Sequence, residues 1–148
     1  MKAALLDVNV LIALIDPSHE LHDAAHEWFE ENREFGWATC PATENACVRI
    51  LAQPGYPYLG LGVQEIRGML AEFFSDADHR FWAGSISVLD GERFDLSGVT
   101  PKQLTDVYLL GVAVAQGGRL ATFDRGVRLG SVTGAGLRSV VVIRERLE

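Results

Sequence analysis

Residues 5–16 read LLDVNVLIALID. The apolar run that begins at Ala3 is interrupted at Asp7, and again two positions later at Asn9. A carboxylate set among Leu and Val costs several kcal/mol unless a charged or hydrogen-bonding group meets it. Residues 3–6 are apolar without alternation, which predicts a first strand buried on both faces. Residues 8–15 predict a short apolar helix, stopped at Asp16-Pro17-Ser18 because proline disfavours helical backbone in the residue before it. The stretch therefore predicts a strand, an acid and a helix in direct succession.

The same grammar extends along the chain. Residues 18–35, SHELHDAAHEWFEENREF, predict a helix with an acidic outer face, its apolar members Leu21, Ala24, Ala25, Trp28 and Phe29 following helical spacing. GWATC (36–40) predicts a short strand. PATENACVRILAQPG (41–55) predicts a helix opened by Pro41 and stopped at Pro54-Gly55. YPYLGLG (56–62) reads as a loop and residues 63–77 as another amphipathic helix. Residues 79–99 are the least readable, with one short strand expected. The clearest helix grammar is TPKQLTDVYLLGVAVAQGG (100–118). Thr100 stands as N-cap with Gln103 three residues on, Pro101 takes the first position, and Gly117-Gly118 close it. RLATF (119–123) and SVVVI (139–143) predict buried strands. Strands alternating with helices give an α/β class with a central, mainly parallel sheet, and a single domain over residues 1–148.

Composition narrows the function classes. A chain of 148 residues, 48% hydrophobic and 22% charged, is long enough for a core of its own. No apolar run reaches the length of a membrane span, and MKAALLD lacks the pattern of a signal peptide. Cys40 and Cys47 are too few for a disulfide framework or a four-ligand zinc site, and read as buried thiols in a reducing cytosol. The formal charge is −7, unevenly spread: residues 1–78 hold 4 basic against 13 acidic side chains, residues 79–148 hold 9 against 7. Bulk charge opposes non-specific nucleic-acid binding. It leaves room for a local basic rim, for which Arg119, Arg125, Arg128 and Arg138 are candidates.

Four acids fall at places that suit a site. In open α/β sheets, ligands bind beyond the carboxyl ends of the strands. Asp7 follows the first strand and Asp124 follows RLATF. Glu44 lies in the first turn of its helix and Asp106 in the second turn of its own, each with apolar neighbours at i+3, i+4 and i+7. Each acid alone has an ordinary reading as a cap or turn residue. Together they direct negative charge at one sheet edge, which a divalent cation would offset. All-oxygen donors favour Mg²⁺ or Mn²⁺.

With these residues in place, the chain resembles the PIN-domain ribonucleases, specifically the VapC-type toxins of bacterial toxin–antitoxin pairs. The resemblance rests on LLDVNVLIALID, on Glu44 in PATENACVRIL, and on LTDVYLLGVAVAQGGRLATFD, in that order and spacing. It implies a PIN-like three-layer α/β/α fold and a catalytic, metal-binding cluster of Asp7, Glu44, Asp106 and Asp124. Asn9 and Thr122 would be the groups that orient it. It further implies Mg²⁺- or Mn²⁺-dependent RNA cleavage, a cytoplasmic homodimer, and an antitoxin protein as partner. Arg125 and Arg128, flanking Asp124, are candidate phosphate contacts. Residues 56–99 match only loosely.

Two rivals are weighed beside it. A Mg²⁺-dependent phosphohydrolase would use Asp7 as nucleophile, but it wants a second acid two residues on, and Asn9 cannot transfer protons. A non-catalytic protein-binding α/β module has no need of all four acids. Three features read as structural: His19, His22 and His26 on the acidic helix, the Trp and Phe residues as core or dimer surface, and the Gly-rich 130–139 as a loop.

Overall fold

The computed structural model describes residues 1–57 and 59–145; Tyr58, in the predicted loop, lies outside them. The elements run β1 (Ala4–Leu6), α1 (Val8–Ile15), α2 (His22–Asn32), β2 (Trp37–Thr39), α3 (Pro41–Leu51), α4 (Val63–Phe73), β3 (His79–Phe81), α5 (Leu104–Ala115), β4 (Arg119–Thr122) and β5 (Val140–Val142). The strands form one sheet in the order β3-β2-β1-β4-β5, and each pairing is parallel, with Leu5 of β1 opposite Ala38 on one side and Leu120 on the other.

Strand alternation explains the layers. Ala4 and Leu6 pack into one core with α1, α2, α3 and α4, whereas Ala3 and Leu5 pack into a second core with α5, Trp82 and Phe94. The apolar run 3–6 is continuous because both faces of β1 are covered. This is the three-layer α/β/α architecture expected from the sequence.

Several helix boundaries differ from the predicted ones. The helix predicted over 18–35 starts only at His22. Asp16 Oδ1 accepts from Ser18 N–H at 2.9 Å, and His19 Nδ1 accepts from Leu21 N–H at 3.0 Å, so side chains hold this stretch in turns. Its far end tightens to a single 3₁₀ turn, Arg33–Phe35, closed by Gly36 at φ 93°. The helix that opens at Pro41 ends at Leu51, before the proline predicted to stop it. The helix predicted from Thr100 begins as a 3₁₀ turn, Pro101–Gln103, with Gln103 Oε1 accepting from Thr100 N–H at 3.0 Å.

The residues read as structural have structural partners. His22 Nδ1 donates to Ala13 O at 2.6 Å and His26 Nε2 to Leu14 O at 3.0 Å, so both imidazoles satisfy carbonyls in the last turn of α1. Trp37 sits among Phe29, Phe73, Phe74 and His79 in an aromatic cluster, although Phe81 on the edge strand is exposed. Cys40 and Cys47 are free and buried, and burial pushes the Cys47 thiol up to about 12.

Candidate active site

Chain order reverses at β1. The chain builds β2 and β3 on one side, then returns to place β4 on the other. The crevice beyond the carboxyl ends of β1 and β4 is therefore a topological switch point, where this class of sheet binds ligands. Asp7 N–H donates to Ala121 O at 2.9 Å, which fixes the two strand ends together.

Asp7 leaves β1 in extended backbone and caps α1. It is only 6% exposed, yet its carboxylate has two donors: Val8 N–H at 2.7 Å on Oδ1, and the Thr122 hydroxyl at 2.8 Å on Oδ2. Burial pushes its pKa up, the two donors oppose that, and the charge of Asp124 adds to it. Thr122, the last residue of β4, is fully buried and also accepts from Asp124 N–H at 3.1 Å. Asp124 Oδ1 accepts from Gly126 N–H at 2.7 Å, and that amide, with a bond from Asp106, holds its carboxyl low.

Asp106 enters from the first turn of α5 rather than the second, because the α-helix begins only at Leu104. Burial raises its pKa, then the charge of Asp7 and a shared hydrogen bond with Asp124, together to about 7. Asp7, Asn9, Asp106 and Asp124 line one cleft of about 630 Å³ with Thr100, Lys102, Gln103, Phe123 and Gly126. Lys102 is the lining's one basic side chain, and its charge helps keep Asp124 ionised. The sequence reading missed it, although its place four residues before Asp106 puts both on one helix face.

Glu44 does not line this cleft. Its Oε2 accepts from the Thr39 hydroxyl at 2.8 Å, at the carboxyl end of β2, next to β1. Thr39 Oγ1 also lies 2.7 Å from His79 Nε2 on β3. Burial lowers the pKa of His79, and the charge of Glu44 opposes that shift. Thr39 was missed, and His79, expected to be isolated and structural, instead meets it, a link to Glu44 that runs across three elements.

The basic rim is not assembled. Arg119 and Arg138 lie at the opposite end of the sheet, where β4 and β5 begin. Arg128 donates to Gly98 O at 2.8 Å and Ser97 O at 3.4 Å, so it holds the 97–98 loop. Arg125 is exposed beside Asp124, outside the residues that line the cleft.

Comparison with known proteins gives consistent relatives. Ribonuclease VapC44 of Mycobacterium tuberculosis is 44% identical over 133 residues, covering 89% of this chain and 93% of that protein. Ribonucleases VapC38 and VapC39 of the same organism are 41% and 39% identical, over 84% and 93% of this chain and 86% and 99% of theirs. No family model matches. The chain belongs to the VapC ribonuclease family. Its five-stranded parallel sheet with helices on both faces is the PIN-like α/β fold that the resemblance implied.

VapC membership raises the question of a divalent cation. Among the described residues, no group of three or more His, Cys, Asp or Glu side chains is arranged to hold a metal ion by itself. The three aspartates instead form an open, all-oxygen lining in which Asp106 resists ionisation beside Asp7 and Asp124. A hard cation that keeps several water ligands fits such a lining. No helix among the described residues is long and apolar enough to cross a membrane.

Proposed function

We propose that this chain is a Mg²⁺- or Mn²⁺-dependent endoribonuclease acting as the toxin of a toxin–antitoxin pair. In this reading residues 1–148 are one PIN-like domain, cytoplasmic, working as a homodimer and restrained by a cognate antitoxin protein. The observation that carries it is the gathering of Asp7, Asp106 and Asp124 at the β1/β4 switch point with Lys102 as the lining's one cation. Asp7, Asp106 and Asp124 would hold the metal, and Glu44 would join them from the neighbouring strand end. When bound, the ion lowers the pKa of water and neutralises charge on a phosphate.

The chain's own groups do the positioning. Thr122 orients Asp7 through its hydroxyl and Asp124 through that residue's backbone amide. Asn9 offers an amide at the cleft wall that can orient a carboxylate or a water but cannot transfer a proton. Lys102 provides fixed positive charge for the RNA backbone, and Arg125 lies within the same loop as Asp124. Hydrolysis by in-line water attack breaks the P–O3′ bond, leaving 5′-phosphate and 3′-hydroxyl ends.

The test is cleavage of cellular RNA by purified protein, with the ends mapped. Cleavage is expected with Mg²⁺ or Mn²⁺, and EDTA should abolish it. Products ending in 2′,3′-cyclic phosphate, or full activity in EDTA, would overturn the mechanism.

A further inference from the structure

The end of the sheet opposite the acids has a different character. Where β1, β4 and β5 begin, Met1, Lys2, Arg119, Arg138 and Val140 line a cleft of about 400 Å³. Arg119 opens β4 and is only 7% exposed. Its Nε donates to Lys2 O at 3.2 Å and its Nη2 to Asn32 Oδ1 at 2.9 Å, while its guanidinium lies 5.7 Å from the centroid of the Trp28 ring. All three partners are neutral. Among the described residues, the ion pairs are those of Arg33 and Arg93, and none involves Arg119, Lys2 or Arg138. Burial lowers the pKa of Arg119 with no acid opposing it.

A buried guanidinium without a counter-charge is unusual, since buried charges are otherwise paired. Three cationic side chains around one cleft suit a dianion better than a single carboxylate, and a guanidinium fork suits phosphate. Met1 and Val140 add apolar surface for a ring, and the volume falls in the range of small-molecule sites. β1 is three residues long, so this cleft and the aspartates are separated along it by roughly 10 Å.

We propose that this basic cleft binds a phosphate monoester of nucleotide size, with Arg119 and Arg138 on the phosphate and Met1 and Val140 against the ring. The phosphate can belong to a free nucleotide or to the 5′ end of an RNA. The proposal does not depend on the activity assigned to the aspartates.

The test is titration of the full chain in EDTA, which removes metal-mediated phosphate binding at the acids. Adenosine monophosphate, adenosine, inorganic phosphate and a 5′-phosphorylated RNA trimer are the probes, followed by calorimetry and by tryptophan fluorescence, since Trp28 lies against Arg119. Adenosine monophosphate should saturate one site, and adenosine should not bind. Arg138→Glu, an exposed change with little risk to folding, should weaken binding at least tenfold, as should Arg119→Met. Arg67→Glu, exposed on α4, should leave binding as in wild type. Tighter binding of the trimer assigns the phosphate to RNA ends, and weaker binding assigns it to free nucleotides. Absence of nucleotide binding, binding of inorganic phosphate alone, or wild-type affinity in Arg138→Glu would overturn the proposal.

Discussion

At the amino ends of β2 and β3, Asp76 accepts from Trp37 Nε1 and from Arg33 Nη2, each at 2.7 Å, and these donors hold its carboxyl below the ordinary range. At the carboxyl ends of β1 and β4, Asp106 faces Asp7 and Asp124, and its carboxyl is pushed up to about 7. One chain thus keeps acids in opposite surroundings. Asp76 is matched by a cation and an indole N–H, and needs nothing further. Asp106 is placed where neighbours oppose its charge, an arrangement that costs stability and is typical of functional sites. Asp7 lies between the two cases, since buried donors hold it in one orientation while its neighbours remain acidic.

The largest expected effect breaks the contrast at its centre. Asp7→Asn, nearly isosteric, should reduce RNA cleavage by more than the 10–100-fold typical of losing an outer-shell group, with the circular dichroism spectrum unchanged. Wild-type activity in this variant with Mg²⁺ present would place the site elsewhere. Thr122→Val removes a donor to Asp7 and the acceptor for Asp124 N–H. It should lower cleavage by about 10–100-fold and stability by about 1–3 kcal/mol, read from single-turnover assays and urea unfolding.

Thr39→Val sharpens the comparison by making the same change one functional step away. Thr39 is equally buried and its hydroxyl serves Glu44 rather than the cleft aspartates. A similar stability loss of about 1–3 kcal/mol should come with no more than about a tenfold loss of cleavage. Equal activity losses in the two variants would place Glu44 on a par with the cleft acids.

The smallest effect concerns Asp76. Because its folded pKa lies below the ordinary 3.8, its charge stabilises the fold fully above that value, and the contribution is lost as pH falls through the folded one. The Arg33–Asp76 pair is partly exposed, so the charge itself should be worth roughly 1 kcal/mol or less. Unfolding of wild type and Asp76→Asn from pH 5 to pH 2 should converge at the acid end. A stability difference that stays constant with pH would show that the charge is not what matters at Asp76.

What could be read from the sequence follows the range of the interactions. β1, Asp7 and α1 were legible together because burial on both faces and a cap are local signals. Asp106 and Asp124 were legible because helix phase and strand ends are local too. The turns at Asp16 and His19 were not, since side chains there outcompete helix formation. Nothing near Thr39 in the sequence points to His79, and β3 is a three-residue edge strand with weak patterning. The four arginines were expected as one rim, yet parallel strands send Arg119 and Arg138 to the end where strands begin. Order along a parallel strand decides the pole, and charge type alone does not reveal it.

Thr122 has a single hydroxyl hydrogen, and it points at Asp7. The same oxygen takes the hydrogen of the Asp124 amide. A line of bonds therefore runs from the side chain that follows β1 into the main chain of the loop after β4. One buried hydroxyl thus sets both the orientation of the Asp7 carboxylate and the path of the loop that carries Asp124.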